Sequence, residues 1–227
     1  MHNVGNGDFH AIGAMQLANL QEHAGLKGVD QVLDIGCGNG RVAAQLAPFL
    51  QGGSYVGFDI SRRGIQACRR QFGGQRHMRF EHLDVWNGEY NARGKVAEID
   101  TVFPAADASI DLAFATSVFT HMRMPGVKRY LVEAARVLRP GGRLAFTTFA
   151  QEPEREATVE FPFKPFDGTS SAVDPRYPER ATAHRRKALE TEVEAAGLRI
   201  AKFHRGYWAP GWDYDGGQDL FVVEKSA

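Results

Sequence analysis

The chain has 227 residues, a length that suits one sizeable α/β domain rather than several. Its 27 basic residues balance 27 acidic ones, which argues against nucleic acid or an anionic membrane as partner, because such surfaces need a net basic face. No apolar run approaches the ~20 residues of a membrane span, the N-terminus lacks a signal-peptide core, and two cysteines make no disulfide framework, so a reducing cytoplasm is the expected setting.

Residues 9–24 carry Phe9, Ile12, Met15 and Leu20 on roughly one helical face, predicting a helix that precedes the core and folds over a ligand. The run V-L-D-I-G-C-G-N-G-R, residues 32–41, reads as a buried strand, a glycine turn and a helix start. Val42, Leu46 and Leu50 mark that helix, and Ile65, Cys68 and Phe72 mark the next. Strands are expected at residues 55–59 and 78–85. A fourth runs from Asp111 to Thr116, and a fifth follows the stop Pro140-Gly141-Gly142. Before that stop, Val127, Tyr130, Leu131, Ala134 and Leu138 fall at helical spacing. Leu189, Val193 and Ala196 give a last helix, followed by strands at 198–204 and 219–224 with no helix between them. Strands alternating with helices imply a parallel sheet covered on both faces, here ending in an antiparallel pair at its edge.

The chemistry lies at the strand ends. Gly36, Gly38 and Gly40 permit a tight turn and close approach of a ligand to the backbone. Asp34, just before them, suits a ligand with an ammonium group and a sulfonium better than the pyrophosphate of a dinucleotide. Asp59, about 20 residues beyond the glycines, can accept both hydroxyls of a ribose. Asp84 can accept from an adenine amino group, with the Val85 amide on a ring nitrogen. Together the three acids point to S-adenosylmethionine (SAM) rather than NAD. Cys37 and Cys68 read as small packing residues.

On these residues the chain resembles the class I SAM-dependent methyltransferases. The resemblance rests on Asp34, the three glycines, Asp59 and Asp84, on D-L-A-F-A-T-S-V-F-T-H-M from Asp111, and on R-V-L-R-P-G-G-R-L from Arg136. It covers residues 30–150 well and the rest loosely. It implies a single-domain, Rossmann-like, seven-stranded, mostly parallel sheet with helices on both faces and an antiparallel last strand. It also implies SAM as cofactor and S-adenosylhomocysteine as product. The cofactor set becomes Asp34, Gly36, Gly38, Asn39, Gly40, Arg41, Asp59, Ile60, Asp84, Val85 and Ser117. The expected layout is an N-terminal cap over 1–29, a cofactor core over 30–150, a lid-like insert over 151–184, and a C-terminal helix with edge hairpin over 185–227.

Methyl transfer needs an aligned nucleophile and, for a hydroxyl, a base. His121, just past the fourth strand, is the candidate base; the alternative is a histidine that packs the start of the next helix. Phe119 is expected against cofactor or substrate. Tyr90 and Trp86 either wall the acceptor pocket, stack on adenine, or are ordinary core aromatics. No cluster has metal-ligand spacing around His77 or His82, and no metal is expected. The aromatic insert 151–184 reads as a substrate wall or a surface excursion. The basic run at 180–187 reads as a solvated helix start or a cradle for an anion. The loop 206–217 reads as a dimer contact, a pocket rim or a cover over its own core. The expected function is methylation of a small-molecule acceptor at a hydroxyl by a monomer or homodimer. N- or C-methylation, a nucleic-acid substrate and binding without turnover are the alternatives.

Overall fold

A computed structural model describes residues 8–155 and 161–226. Helix α1 (Phe9–Ala24) starts where Asp8 accepts the Ala11 amide at 2.7 Å and ends at Gly25, whose φ of 65° favours glycine. Its buried face differs from the expected one: Gly13, Leu20 and Ala24 point inward, while Met15 is 46% exposed. Gly13 is required by close approach, since a Cβ there would lie 2.7 Å from the Arg41 carbonyl oxygen. The first helix therefore rests on the end of the glycine turn.

The core alternates as expected: β1 (Gln31–Ile35), α2 (Ala43–Phe49), β2 (Ser54–Asp59), α3 (Arg62–Phe72), β3 (Met78–His82), β4 (Ile110–Ala115), α4 (Met124–Val137) and β5 (Leu138–Gln151). These strands pair in parallel in the order β3-β2-β1-β4-β5. The insert contributes β6 (Lys164–Pro165), β7 (Ser170–Ala172) and β8 (Thr182–Arg185). Then come α5 (Arg186–Ala195), β9 (Leu198–His204) and β10 (Asp219–Lys225). β10 lies between β5 and β9 and is antiparallel to both, completing a seven-stranded main sheet. The last strand is thus antiparallel, but it sits inside the sheet and β9 forms the edge. Its apolar run Leu220-Phe221-Val222-Val223 is buried throughout, as an inner strand requires.

Side chains alternate across β1 with a period of two. Leu33 and Ile35 join the core under α4 and α5, while Val32 joins the core under α1, α2 and α3. Both layers are dry, and truncating a residue such as Leu33 to alanine is expected to cost about 2–5 kcal/mol. The same alternation sends Asp34 to the α1–α3 side, beneath the glycine turn.

The insert extends the sheet. β8 pairs in parallel with the far end of β5, Phe149 opposite Ala183, and β7 pairs with β8. Phe161 and Phe163 pack on Phe149 and Trp208. Asp219, fully buried, accepts from Arg155, Trp208 Nε1 and the amides of Ala150 and Gly206 at 2.7–2.9 Å. Burial pushes its carboxyl up and these donors oppose the shift. Within the basic run residues 182–185 are strand, α5 starts at Arg186 as the helix-start reading expects, Lys187 is exposed, and Arg186 pairs with Glu152 and Glu190. Arg205 joins Arg186 on Glu152, and despite partial burial these partners hold its carboxyl down at about 2. Arg186 and Arg205 together clamp Glu152.

Candidate functional site

The site is built at the carboxyl ends of the parallel strands, where open α/β sheets bind ligands. After β1 the chain turns on Gly36, Gly38 and Gly40, with φ of 77°, 56° and 86°. The amides of Gly36 and Cys37 both donate to the Phe58 carbonyl, at 2.9 and 3.0 Å, tying the turn to β2. The Asp59 carboxylate accepts from the Gly38 amide at 2.7 Å and the Ser61 amide at 2.6 Å. Each of its oxygens keeps a second lone pair for a ligand hydroxyl.

Asp34 is buried beneath this turn and accepts from the Tyr55 hydroxyl at 2.7 Å. Gly57 makes room for that contact: a Cβ there would meet the Tyr55 hydroxyl at 2.5 Å. Burial pushes the Asp34 carboxyl up to about 7, and neighbouring Asp59 adds to the rise. Burial also raises Asp59. Among the described residues no lysine or arginine forms a salt bridge with either acid. Two buried carboxyls with no lysine or arginine paired to them suit a ligand carrying sulfonium and ammonium charges, and would repel a pyrophosphate. The residues therefore fit SAM.

The other expected cofactor residues frame the same edge. Asn39 is exposed on the turn, Arg41 follows it, and the Ile60 carbonyl bonds the His82 ring at 3.2 Å. Asp84 accepts from the Asn91 side chain at 3.2 Å beside buried Val85. Cys68 donates to the Gly38 carbonyl at 3.7 Å, and Cys37 is buried next to it. The Cys68 contact and burial push the Cys37 thiol well up, away from reactive thiolate chemistry.

Beyond β4 the backbone is strained at Ser117, a non-glycine residue with φ of 57°. Its amide donates to Thr147 Oγ1 at 2.8 Å, and Thr147 in turn donates to Gln218 Oε1 at 2.7 Å. These residues line a cavity of 160 Å³ between α1 and the β9–β10 loop, together with Met15, Gln16, Asn19 and Tyr214. Next to Ser117, Val118 covers Gly36 so closely that a Cβ there would lie 2.5 Å from its methyl, which ties this stretch to the glycine turn. Thr147, Gln218, Asn19 and Tyr214 carried no local signal in the sequence. The loop 206–217 does form a rim of this cavity through Tyr214, Gly216 and Gly217.

The structure separates two residues from this cavity. Phe119 is fully buried among Phe146 and Tyr130, so it packs the core beneath α4 instead of touching a ligand. His121 is not among the lining residues. Its Nδ1 donates to the Glu179 carbonyl at 2.9 Å, and its Nε2 faces the Tyr90 hydroxyl at 3.4 Å. Burial lowers its pKa, so the ring is neutral at neutral pH. Asn87 holds the His121 carbonyl and the Tyr90 amide, and Arg123 pairs with Glu179 at 3.0 Å. His121 thus joins the insert to the loop after β3. Tyr90 and Trp86 are 46% and 39% exposed, so neither is a core aromatic.

Sheet order, glycine turn and strand-end acids define a Rossmann-type site for an adenosyl cofactor. Residues 33–146 match the family model of a methyltransferase domain, and the chain belongs to the class I SAM-dependent methyltransferases, whose cofactor is SAM. It is 34% identical over 125 residues to phthiotriol/phenolphthiotriol dimycocerosates methyltransferase 1 of Mycobacterium ulcerans, over 55% of this chain and 39% of that protein. It is 30% identical over 129 residues to the O-methyltransferase cnsE of Penicillium expansum, over 54% of this chain and 39% of that protein. The chain thus spans well under half the length of these relatives. Its fold matches the [4+2]-cyclase SpnF, with TM-score 0.64 and 17% identity over 98% of this chain and 86% of that one. It also matches the 1,6-didemethyltoxoflavin-N1-methyltransferase of Burkholderia thailandensis, with TM-score 0.60 and 18% identity over 96% and 78%. Among the described residues no helix is long and apolar enough to cross a membrane.

Proposed function

We propose that the chain transfers the methyl group of SAM to a hydroxyl of a small-molecule acceptor. The observation that carries this reading is the uncharged cavity beside the glycine turn, bordered by Ser117 at the end of β4. The likeness to the Penicillium O-methyltransferase over the core supports oxygen as the reacting atom. SAM supplies a methyl already activated by its sulfonium charge.

The protein's part is positioning. Asp59 takes the ribose hydroxyls on its open lone pairs, Asp84 and the Val85 amide take the adenine edge, and Asp34 faces the positive end. Asn39, Gly40, Arg41, Ile60 and Ser117 complete the cofactor's surroundings. Helix α1 forms one wall of the acceptor cavity through Met15, Gln16 and Asn19. Holding the acceptor oxygen in line with the methyl can supply about 7–11 kcal/mol of the barrier. Among the described residues the lining has no carboxylate, imidazole or amine, which favours an acidic hydroxyl, phenolic or enolic, that needs little help from a base. A cytoplasmic protein acting on a diffusible metabolite, as monomer or homodimer, is the setting that agrees with this site.

The test is incubation with methyl-labelled SAM and a panel of phenols, enols, amines and short oligonucleotides. Label in a phenol or enol product supports the reading. Label in an amine moves the reaction to nitrogen, as in the Burkholderia relative's name, and label in oligonucleotide overturns the small-molecule assignment. Tight SAM binding with no transfer to any acceptor would make this a cofactor-binding protein on a fold that SpnF also uses.

A further inference from the structure

The cavity has a built-in orientation that the family resemblance does not supply. Thr147 Oγ1 accepts the Ser117 amide, so its single proton is free to go to Gln218 Oε1 at 2.7 Å. In this arrangement the oxygen of the Gln218 amide is turned to Thr147, which leaves the NH2 of this cavity-lining residue without that contact. No hydrogen bond from that NH2 to a described residue is formed. On the opposite wall Asn19 donates to the Tyr214 hydroxyl at 3.0 Å, which leaves the tyrosine proton and the Asn19 carbonyl oxygen unused. None of the lining residues is charged.

Size narrows the occupant further. A cavity of about 150 Å³ lined by apolar side chains holds one benzene. The volume here is 160 Å³, with Met15, Leu20, Ala145 and Leu220 among its walls. An ionised group in this space would find no counter-charge among the described lining residues.

We propose that this cavity seats one neutral, single-ring end of the acceptor, whose carbonyl or hydroxyl oxygen accepts from the Gln218 amide as oriented by Thr147. The inference rests on the methyltransferase reading, and it makes Gln218 a specificity residue and Thr147 a positioning residue. Acceptors differing only in an ionised substituent at that end are rejected.

The experiment uses the full chain loaded with S-adenosylhomocysteine and four probes of one size: acetophenone, benzyl alcohol, benzoate and benzylamine. The Met15 and Leu20 methyl signals in NMR report occupancy of the cavity. Acetophenone and benzyl alcohol are expected to shift these signals, with benzoate and benzylamine at least tenfold weaker. Gln218→Leu should weaken acetophenone at least fivefold and leave S-adenosylhomocysteine affinity within twofold. Thr147→Val should weaken acetophenone likewise. If it fails to fold, the half-buried Gln218→Leu decides alone. Equal binding of a charged probe, or neutral probes indifferent to Gln218→Leu, overturns the proposal. Failure to bind S-adenosylhomocysteine at all overturns the methyltransferase reading instead, so the two failures are distinct.

Discussion

The Asp59 carboxylate accepts the Gly38 backbone amide at 2.7 Å, making the end of β2 and the glycine turn after β1 one mechanical unit. The same carboxylate also takes the Ser61 amide that starts α3. A group that holds the turn and, as proposed, takes the ribose hydroxyls should show both roles when removed.

Asp59→Ala is expected to weaken S-adenosylhomocysteine binding by about 1.5–3 kcal/mol, the scale of hydrogen bonds to a charged group, or roughly 10- to 150-fold. Calorimetry on protein shown to be folded is the measurement. An affinity within twofold of the parent would remove Asp59 from the ribose position.

Asp34 gives a pH signature. Burial raises its carboxyl from 3.8 to about 7 in the folded protein, so the native state holds this proton more tightly than the unfolded chain. Its contribution to stability is therefore complete below about pH 4 and lost as pH rises through 7. Denaturant midpoints of the ligand-free protein should fall across that window, and Asp34→Asn should flatten the fall. Ionisation of Asp34 also favours a sulfonium ligand. The affinity ratio of SAM to S-adenosylhomocysteine is expected to rise from pH 6 to pH 8, and an unchanged ratio would show that Asp34 does not sense the ligand's charge.

His121→Ala tests the two roles of that ring. As the tie between Glu179 and Tyr90, its loss should speed amide hydrogen exchange in residues 178–184 and lower turnover less than tenfold. A general base instead carries typically 10²–10⁴-fold. A loss of that size with unchanged exchange would return His121 to the chemistry.

Phe119→Ala is expected to cost about 3–5 kcal/mol of stability, the usual range for an aromatic removed from a dry core. The folded fraction should bind S-adenosylhomocysteine as the parent does. Weakened binding without loss of stability would place the ring against the ligand.

Much of the frame was legible in the amino acids because its causes are local. The bounds of α1, the glycine turn with its positive φ values, and the alternation of strands with helices all follow from residues within a turn or two of each other. Three acids at three strand ends share one edge because consecutive parallel strands all end on the same side.

The tertiary structure alone decided what those pieces enclose. Asn19 meets Tyr214 across 195 residues, and Thr147 meets Gln218 across 71, so the cavity they line leaves no periodic trace. The short stretch after β4 is too irregular for spacing to tell Ser117, at the cavity, from Phe119, in the core, or His121, against the insert. There one strained φ at Ser117 and the docking of the insert set each side chain's direction. The chemistry of the edge was written in the sequence, and the cavity beside Ser117 came from packing between distant segments.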